Sequence, residues 1–207
     1  MDWRLALVML GALPVFAGLV HWLTRWAGPL PGVVAALVLY WALIGALAWR
    51  ALSGADRAAL LAHARPPRLL AALAFVPVVA MAWLALGVLG DSGFPAILLV
   101  PVAVMALVNG TAEEMFWRGA LLPAPDREGM VVAWALFALW HVSWGFARGL
   151  ASPAGTAGLV IGAAAMGAVW MALRLRTGVL GPGIAAHVAF NLFAFADIAA
   201  RNWPGAT

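Results

Sequence analysis

The sequence predicts an all-α protein: a polytopic transmembrane helical bundle with about seven spans. Of its 207 residues, 66% are hydrophobic and only 10% are charged. A water-soluble globule cannot cover so much apolar surface with so few polar side chains. Several apolar runs also reach the roughly 20 residues that an α-helix needs to cross about 30 Å of hydrocarbon. Composition and run length together therefore place the chain in a bilayer.

Apolar runs bounded by glycine, proline and charged residues define the predicted spans. They lie near residues 5–23, 30–49, 69–89, 96–121, 130–147, 155–173 and 179–198. The first run is longer than the roughly 7 to 15 apolar residues of a signal-peptide core. It ends in His21, Trp22 and Trp26, which suit an interfacial anchor. We therefore expect the first run to be a membrane span.

The arginine distribution predicts the orientation of the bundle. Four arginines lie between the second and third predicted spans, at Arg50, Arg57, Arg65 and Arg68, whereas the next loop, around Asp91, has none. Cytoplasmic loops are enriched in positive residues. We therefore expect the arginine-rich loop and the N-terminus to lie in the cytoplasm.

The remaining composition excludes several kinds of function. The formal charge of +4 comes from basic residues spread among loops, so no nucleic-acid partner is expected. The chain has no cysteine, which excludes disulfides, thiol catalysis and thiolate metal sites. All twelve basic residues are arginine and the chain is rich in alanine and glycine, which is typical of a GC-rich bacterial genome. We therefore expect a bacterial inner (plasma) membrane protein.

A few polar side chains lie well inside the predicted spans. An ionised side chain near the centre of a membrane helix costs about 2.5–3.5 kcal/mol on insertion scales. Such residues usually face the interior of the bundle and mark a functional path. In this chain they are Asn109, Glu113, Glu114, Arg118, His141, His187 and Asn191.

The fourth predicted span carries two adjacent carboxylates. Glu114 and Arg118 are four residues apart, so they share a helix face and can form an ion pair. Glu113 points away from that pair. The pattern therefore predicts one carboxylate held by a cation and one left free, and a free carboxylate is the better candidate for a proton acceptor.

The fifth and seventh predicted spans each carry a histidine. Phe137 and His141 share one helix face, as do His187 and Asn191, because each pair is four residues apart. With a rise of 1.5 Å per residue, Glu113, His141 and His187 lie about 12 to 16 Å from the predicted cytoplasmic ends of their helices. We therefore expect one carboxylate and two imidazoles to converge around a common water beneath the cytoplasmic leaflet.

The sixth predicted span carries Gly158 and Gly162, a G-x-x-x-G pair. Small residues at this spacing let helix backbones approach closely. The pair predicts close helix packing around the polar cluster.

Three motifs occur in order: Glu-Glu-x-x-x-Arg at 113–118, Phe-x-x-x-His at 137–141 and His-x-x-x-Asn at 187–191. Together they resemble the family of CAAX proteases and bacteriocin-processing enzymes, which includes the Ras-converting prenyl-protein endopeptidases. The likeness covers roughly residues 96–198. It implies N-terminal spans of unknown role over 1–92 and a four-helix catalytic membrane core over 93–200.

The resemblance also implies an activity: hydrolysis of a peptide bond within the membrane by a glutamate-dependent endopeptidase, without a covalent intermediate. By family analogy Glu113, assisted by His141, activates a water, while His187 and Asn191 stabilise the oxyanion. The same analogy assigns structural support to Glu114, Arg118 and Phe137. No cofactor or metal is implied, and the implied partners are the lipid bilayer and a membrane-associated protein or peptide substrate.

Two alternatives use the same residues. His141, His187 and a glutamate are possible ligands for Zn²⁺ with a bound water as nucleophile, although no H-E-x-x-H pattern is present. The polar cluster is also compatible with a hydrogen-bonded clasp in a membrane scaffold, bacteriocin-immunity protein or transporter subunit. An unpaired Glu113 would distinguish an enzyme from such a clasp.

Overall fold

A computed structural model of the chain describes residues 1–153 and 155–204, and over that range it is helical without β-strands. The α-helices in this range are α1 (Trp3–Ala27), α2 (Pro29–Ala51), α3 (Gly54–Leu60), α4 (Arg68–Asp91), α5 (Leu99–Glu113), α6 (Arg127–Trp140), α7 (Gly155–Thr177) and α8 (Gly181–Arg201). Short segments of other helical types extend α5 and α6, so the described residues form seven helices long and apolar enough to span a membrane. The prediction of an all-α bundle with seven spans is confirmed.

The short helix α3 lies outside the predicted spans, in the arginine-rich loop. It begins with a capping box, in which the Ser53 hydroxyl accepts from the Asp56 backbone N–H at 3.1 Å and the Asp56 carboxylate accepts from the Ser53 N–H at 3.0 Å. These bonds satisfy backbone donors that the start of a helix leaves open. The hydrogen bonds from Ser53 also hold the pKa of the Asp56 carboxyl below its usual value.

The fourth span changes its helical type beside the two glutamates. α5 ends at Glu113, and a π-helical segment continues from Glu114 to Ala120. The backbone N–H of Leu121 donates to the Phe116 carbonyl, five residues earlier, at 2.8 Å. Wider turns of this kind occur frequently at functional sites, and here the change falls between the two carboxylates.

The fifth span changes type at its histidine. α6 ends at Trp140, and a 3₁₀ segment runs from His141 to Phe146. The Ser143 hydroxyl donates to the Trp140 carbonyl at 2.7 Å within this tighter turn. His141 therefore lies at the junction of two helical types.

Helix α8 lies against α4, α5 and α7, while α1 packs against α2 and the 3₁₀ segment of the fifth span. Aromatic rings join the N-terminal spans to the rest of the bundle. Tyr40 of α2 stacks on Trp140 at a centroid distance of 5.2 Å, and Phe16 of α1 stacks on the same ring at 5.0 Å. The first two spans therefore pack directly against the helices that carry the polar cluster.

The predicted close helix packing is wrong at Gly162. A Cβ added at Gly162 would meet nothing within 4 Å, and both Gly158 and Gly162 line an internal cavity. The close approach on α7 occurs instead at Gly167, where a Cβ would lie 2.9 Å from the Phe137 ring and 3.0 Å from the Arg118 guanidinium. The spacing of glycines in the sequence does not reveal which glycine faces a neighbouring helix.

Helices α5 and α8 approach closely at Gly110. A Cβ at this position would lie 2.9 Å from the Val188 backbone nitrogen and 2.8 Å from its Cγ2. We predict that Gly110→Ala forces α5 and α8 apart and lowers the free energy of unfolding by about 1–3 kcal/mol. Thermal unfolding of the detergent-solubilised protein measures this change.

The matched control is Gly87→Ala on α4, because a Cβ there meets nothing within 4 Å. It should unfold at or above the temperature of the wild type, since alanine favours a helix more than glycine does. Equal unfolding temperatures for the two variants would contradict the close approach of α5 and α8.

Candidate active site

An internal cavity of about 590 Å³ lies within the bundle, and its walls are mainly apolar. All four residues predicted to be catalytic line this cavity: Glu113, His141, His187 and Asn191. Three different spans contribute them, so the structure brings together side chains that are up to 78 residues apart in the sequence. The cavity is large enough for water and for part of a peptide chain, since ligand pockets typically measure about 300–1,000 Å³.

The His187 ring lies between two carboxylates. Its Nδ1 donates to Glu114 Oε1 at 3.0 Å, and its Nε2 lies 3.3 Å from Glu113 Oε2. All three side chains are at most 3% exposed. The prediction that Glu113 is left free is therefore wrong: it points away from Arg118 as expected, but it contacts the second histidine.

The predicted ion pair between Glu114 and Arg118 is confirmed, with Arg118 Nη1 3.2 Å from Glu114 Oε1. The guanidinium also lies over the Phe137 ring at 4.0 Å, and its Nη2 donates to the Gly167 carbonyl at 3.4 Å. Arg118 is fully buried. A buried charge needs such partners, and these contacts anchor the carboxylate that in turn holds His187.

The His141 ring is oriented by its own helix. Its Nδ1 donates to the Phe137 carbonyl at 2.8 Å, since a carbonyl oxygen only accepts. In the neutral ring the proton on Nδ1 leaves Nε2 with a lone pair. Because Phe137 also packs edge-on against the His141 ring at 4.7 Å, this residue fixes both the position of the ring and the nitrogen that is free to act in the cavity.

Two asparagines each lie one helical turn from a reactive group, on the same helix. Asn191 lies one turn after His187 on the cavity wall, and its Nδ2 amide is buried without a hydrogen-bond partner among the described residues. Asn109 lies one turn before Glu113, and its Oδ1 accepts from Trp41 Nε1 at 2.7 Å. Asn191 thus offers a donor to whatever occupies the cavity, because a buried amide N–H normally has a partner.

Sequence reasoning missed Tyr40 and Trp170. Tyr40 is the single tyrosine of the chain. It is fully buried and accepts from Trp117 Nε1 at 2.9 Å, and its hydroxyl lies near the Glu113 carboxylate. Trp170 stacks on the His187 ring at a centroid distance of 3.6 Å. A lone hydroxyl in an apolar run was a usable signal for Tyr40, whereas nothing in the sequence separates Trp170 from the other tryptophans.

Asp197 is a further polar residue of the cavity wall that sequence reasoning missed. Its side chain is 1% exposed, and its Oδ2 accepts from Arg201 Nε at 2.8 Å. Its Oδ1 is buried without a partner among the described residues. The sequence signal was an acidic and a basic residue four apart at the end of an apolar run.

The side chains around the cavity do not form a metal site of the usual kind. Within residues 1–153 and 155–204, no group of three His, Asp or Glu side chains is arranged to hold a metal ion. A zinc site needs at least three protein ligands. The geometry therefore gives no support to the zinc alternative.

Comparison with known proteins yields one family. Residues 95–193 match the family described as type II CAAX prenyl endopeptidase Rce1-like. No curated protein and no solved structure matches the chain. The matched segment covers α5 to α8 except for the last residues of α8, and it includes every residue of the three motifs.

Removal of one partner of the buried ion pair tests how much the pair of Glu114 and Arg118 stabilises the protein. We predict that Arg118→Met lowers the free energy of unfolding by about 3–5 kcal/mol, because the Glu114 charge stays buried without its cation. The double variant Glu114→Gln/Arg118→Met has neither charge, so it should be less destabilised than Arg118→Met alone. Denaturant unfolding in detergent compares the two. A double variant that is less stable than the single one would show that the Glu114 charge does not depend on Arg118.

Proposed function

Residues 95–193 of this membrane-spanning chain belong to the Rce1-like family of type II CAAX prenyl endopeptidases, and from this premise we propose that the protein is a glutamate-dependent intramembrane endopeptidase. The observation that carries the proposal is the convergence of Glu113, His141, His187 and Asn191 on one buried cavity. The proposed location of the protein is a bacterial inner membrane. Its proposed substrate is a membrane-associated protein or peptide. Composition alone suggests the bacterial setting.

The proposed reaction begins with a water held between Glu113 and the Nε2 lone pair of His141. Glu113 accepts a proton from this water as the oxygen attacks the carbonyl carbon of the substrate peptide bond. A C–O bond forms and the carbonyl becomes a tetrahedral oxyanion. When the C–N bond breaks, the proton on Glu113 passes to the leaving nitrogen, so an acid and an amine are released and Glu113 is restored.

The oxyanion needs donors that are already in place before the reaction. Asn191 supplies the Nδ2 amide, which is buried without a partner among the described residues. His187 supplies its Nε2 N–H in the protonated ring, which lies between the carboxylates of Glu113 and Glu114 and has a donor on both nitrogens. Fixed donors in a water-poor site stabilise developing negative charge strongly, and removal of one such donor typically costs about 10² to 10³ in rate.

The contact between Glu113 and His187 fits this cycle. Glu113 Oε2 lies 3.3 Å from Nε2 of His187, but the pair does not meet the alignment of a hydrogen bond. A carboxylate in this position remains open to a water, and the same N–H can turn from the carboxylate to the oxyanion. Glu114, Arg118 and Phe137 act through their contacts with the two histidines and serve as positioning residues.

A membrane scaffold is the alternative function, and an experiment is needed to distinguish it from an enzyme. The paired Glu113 no longer separates the two functions, because a structural clasp would also pair its charges. The unpartnered amide of Asn191 favours the enzyme. A clasp would pair this donor within the bundle, because a buried donor without a protein partner costs about 1–3 kcal/mol.

Replacement of the proposed proton acceptor tests the function. We predict that Glu113→Gln, which keeps the size of the side chain but cannot take up the proton, reduces processing at least about 10²-fold. The matched control is Glu128→Gln, because Glu128 lies exposed in the first turn of α6. Each variant is produced in a strain without the wild-type gene, and the membrane and secreted peptidomes are compared by mass spectrometry.

Peptides that stay uncut in the deletion strain should also stay uncut with Glu113→Gln and should be cleaved with Glu128→Gln. Immunoblots of the membrane fraction establish that both variants insert. If Glu113→Gln is present at the wild-type level and restores the wild-type peptidome, the protein is not a glutamate-dependent peptidase and the scaffold function takes its place.

A further inference from the structure

The cavity extends from the reactive groups to one end of the bundle. One end of its wall is formed by residues at the start of α2, just before α5, in the loop before α7 and just after α8: Leu30, Leu98, Leu150, Ser152 and Trp203. We call this end the mouth. The opposite limit of the wall lies at Glu113, Trp170 and His187, all six or more residues inside their membrane spans. The reactive groups therefore lie at the inner end of the cavity.

Buried leucines close the bundle beyond the reactive groups. Leu121, Leu122 and Leu180 are at most 1% exposed. The Leu180 N–H donates to the Leu60 carbonyl at 2.7 Å, which ties the end of α3 to the start of α8. A Cβ added at Gly119 would lie 3.3 to 3.5 Å from leucines of this closure. The site is sealed on the side of the arginine-rich loop.

The arginines divide unequally between the two ends. Seven that are not buried flank the sealed end: Arg4, Arg50, Arg57, Arg65, Arg68, Arg127 and Arg176. Three flank the mouth: Arg25, Arg148 and Arg201. The remaining two, Arg118 and Arg174, are buried inside the bundle. Because positive residues concentrate on the cytoplasmic side, the sealed end is the cytoplasmic one.

We infer that the cavity takes its substrate from the extracytoplasmic face, and that the substrate is an apolar segment of an exported or membrane-anchored peptide. This inference rests on the proposed function, because only an enzyme has a substrate. It concerns the route to the site, whereas the sequence analysis predicts only the depth of the reactive groups beneath the cytoplasmic leaflet. Glu113 does lie in the half of the bundle near the sealed end, but its cavity leads to the other side.

The dimensions and lining of the cavity define the segment that fits it. From Asp197 to His187 the wall follows ten residues of α8, which is about 15 Å at 1.5 Å per residue. An extended peptide covers about 3.3–3.6 Å per residue, so roughly four to five residues separate the level of Asp197 from the reactive groups. The walls between are mainly apolar, and the unpartnered Oδ1 of Asp197 can accept from a backbone N–H of the entering chain. A segment of about five apolar residues fits this route.

The chain contains no cysteine, so single cysteines report the route without background. Ser152→Cys marks the mouth. Gly162→Cys marks the cavity wall, where an added Cβ meets nothing within 4 Å. Ala55→Cys, exposed on α3 in the arginine-rich loop, is the control for the sealed end. A small, charged, membrane-impermeant methanethiosulfonate is added to intact spheroplasts and, separately, to inverted membrane vesicles.

We expect modification of Ser152→Cys and Gly162→Cys in spheroplasts, and modification of Ala55→Cys only in inverted vesicles. Reaction of Gly162→Cys only in inverted vesicles would overturn the inference. So would reaction of Ser152→Cys and Ala55→Cys from the same side, or a Gly162→Cys that reacts from neither side while Ser152→Cys reacts.

Labelling does not require turnover, so it is repeated with Glu113→Gln in the same chain. The expected labelling together with normal processing by Glu113→Gln would leave the access route standing and remove the peptidase. Reversed labelling together with an inactive Glu113→Gln would leave the peptidase standing and move its entrance to the cytoplasmic face.

Discussion

The site depends on one buried series of charged contacts that runs from Arg118 through Glu114 and His187 to Glu113. Its links measure 3.2, 3.0 and 3.3 Å. None of these groups is stable alone in an apolar bundle, because removing one partner of a buried pair costs about 3–5 kcal/mol. The helices that carry them must therefore meet in one arrangement, and that arrangement forms the inner end of the cavity.

Local features of the fold follow from this series of contacts. The π-helical segment begins at Glu114, beside the two carboxylates. Glycines stand where the charged groups need room: a Cβ at Gly183 would lie 3.1 Å from Glu114 Oε2, and one at Gly167 would lie 3.0 Å from Arg118 Nη2. Trp170 covers the face of His187. Small residues and aromatic rings together exclude water from the charges and leave the Glu113 side facing the cavity.

The membrane spans and the buried ion pair could be predicted from the sequence, because both depend on residues close together along the chain. Hydropathy located the seven spans, and a spacing of four residues located the pair Glu114 and Arg118. The contact between Glu113 and His187 could not be predicted, since it joins side chains on different helices that are 74 residues apart in the sequence. The change to a 3₁₀ turn at His141, the proximity of Tyr40 and the mouth of the cavity also depend on how whole helices pack. Residue types thus revealed which groups take part, whereas their partners depend on tertiary structure.

The position of His187 between two carboxylates is most directly tested by ¹⁵N NMR of the histidine rings, because the chain has only four histidines. The account predicts that Glu114→Gln changes the Nδ1 resonance of His187, that Glu113→Gln changes its Nε2 resonance, and that His141 keeps its proton on Nδ1 in both variants. Unchanged His187 resonances in either variant would show that this carboxylate does not contact the ring and would contradict the account.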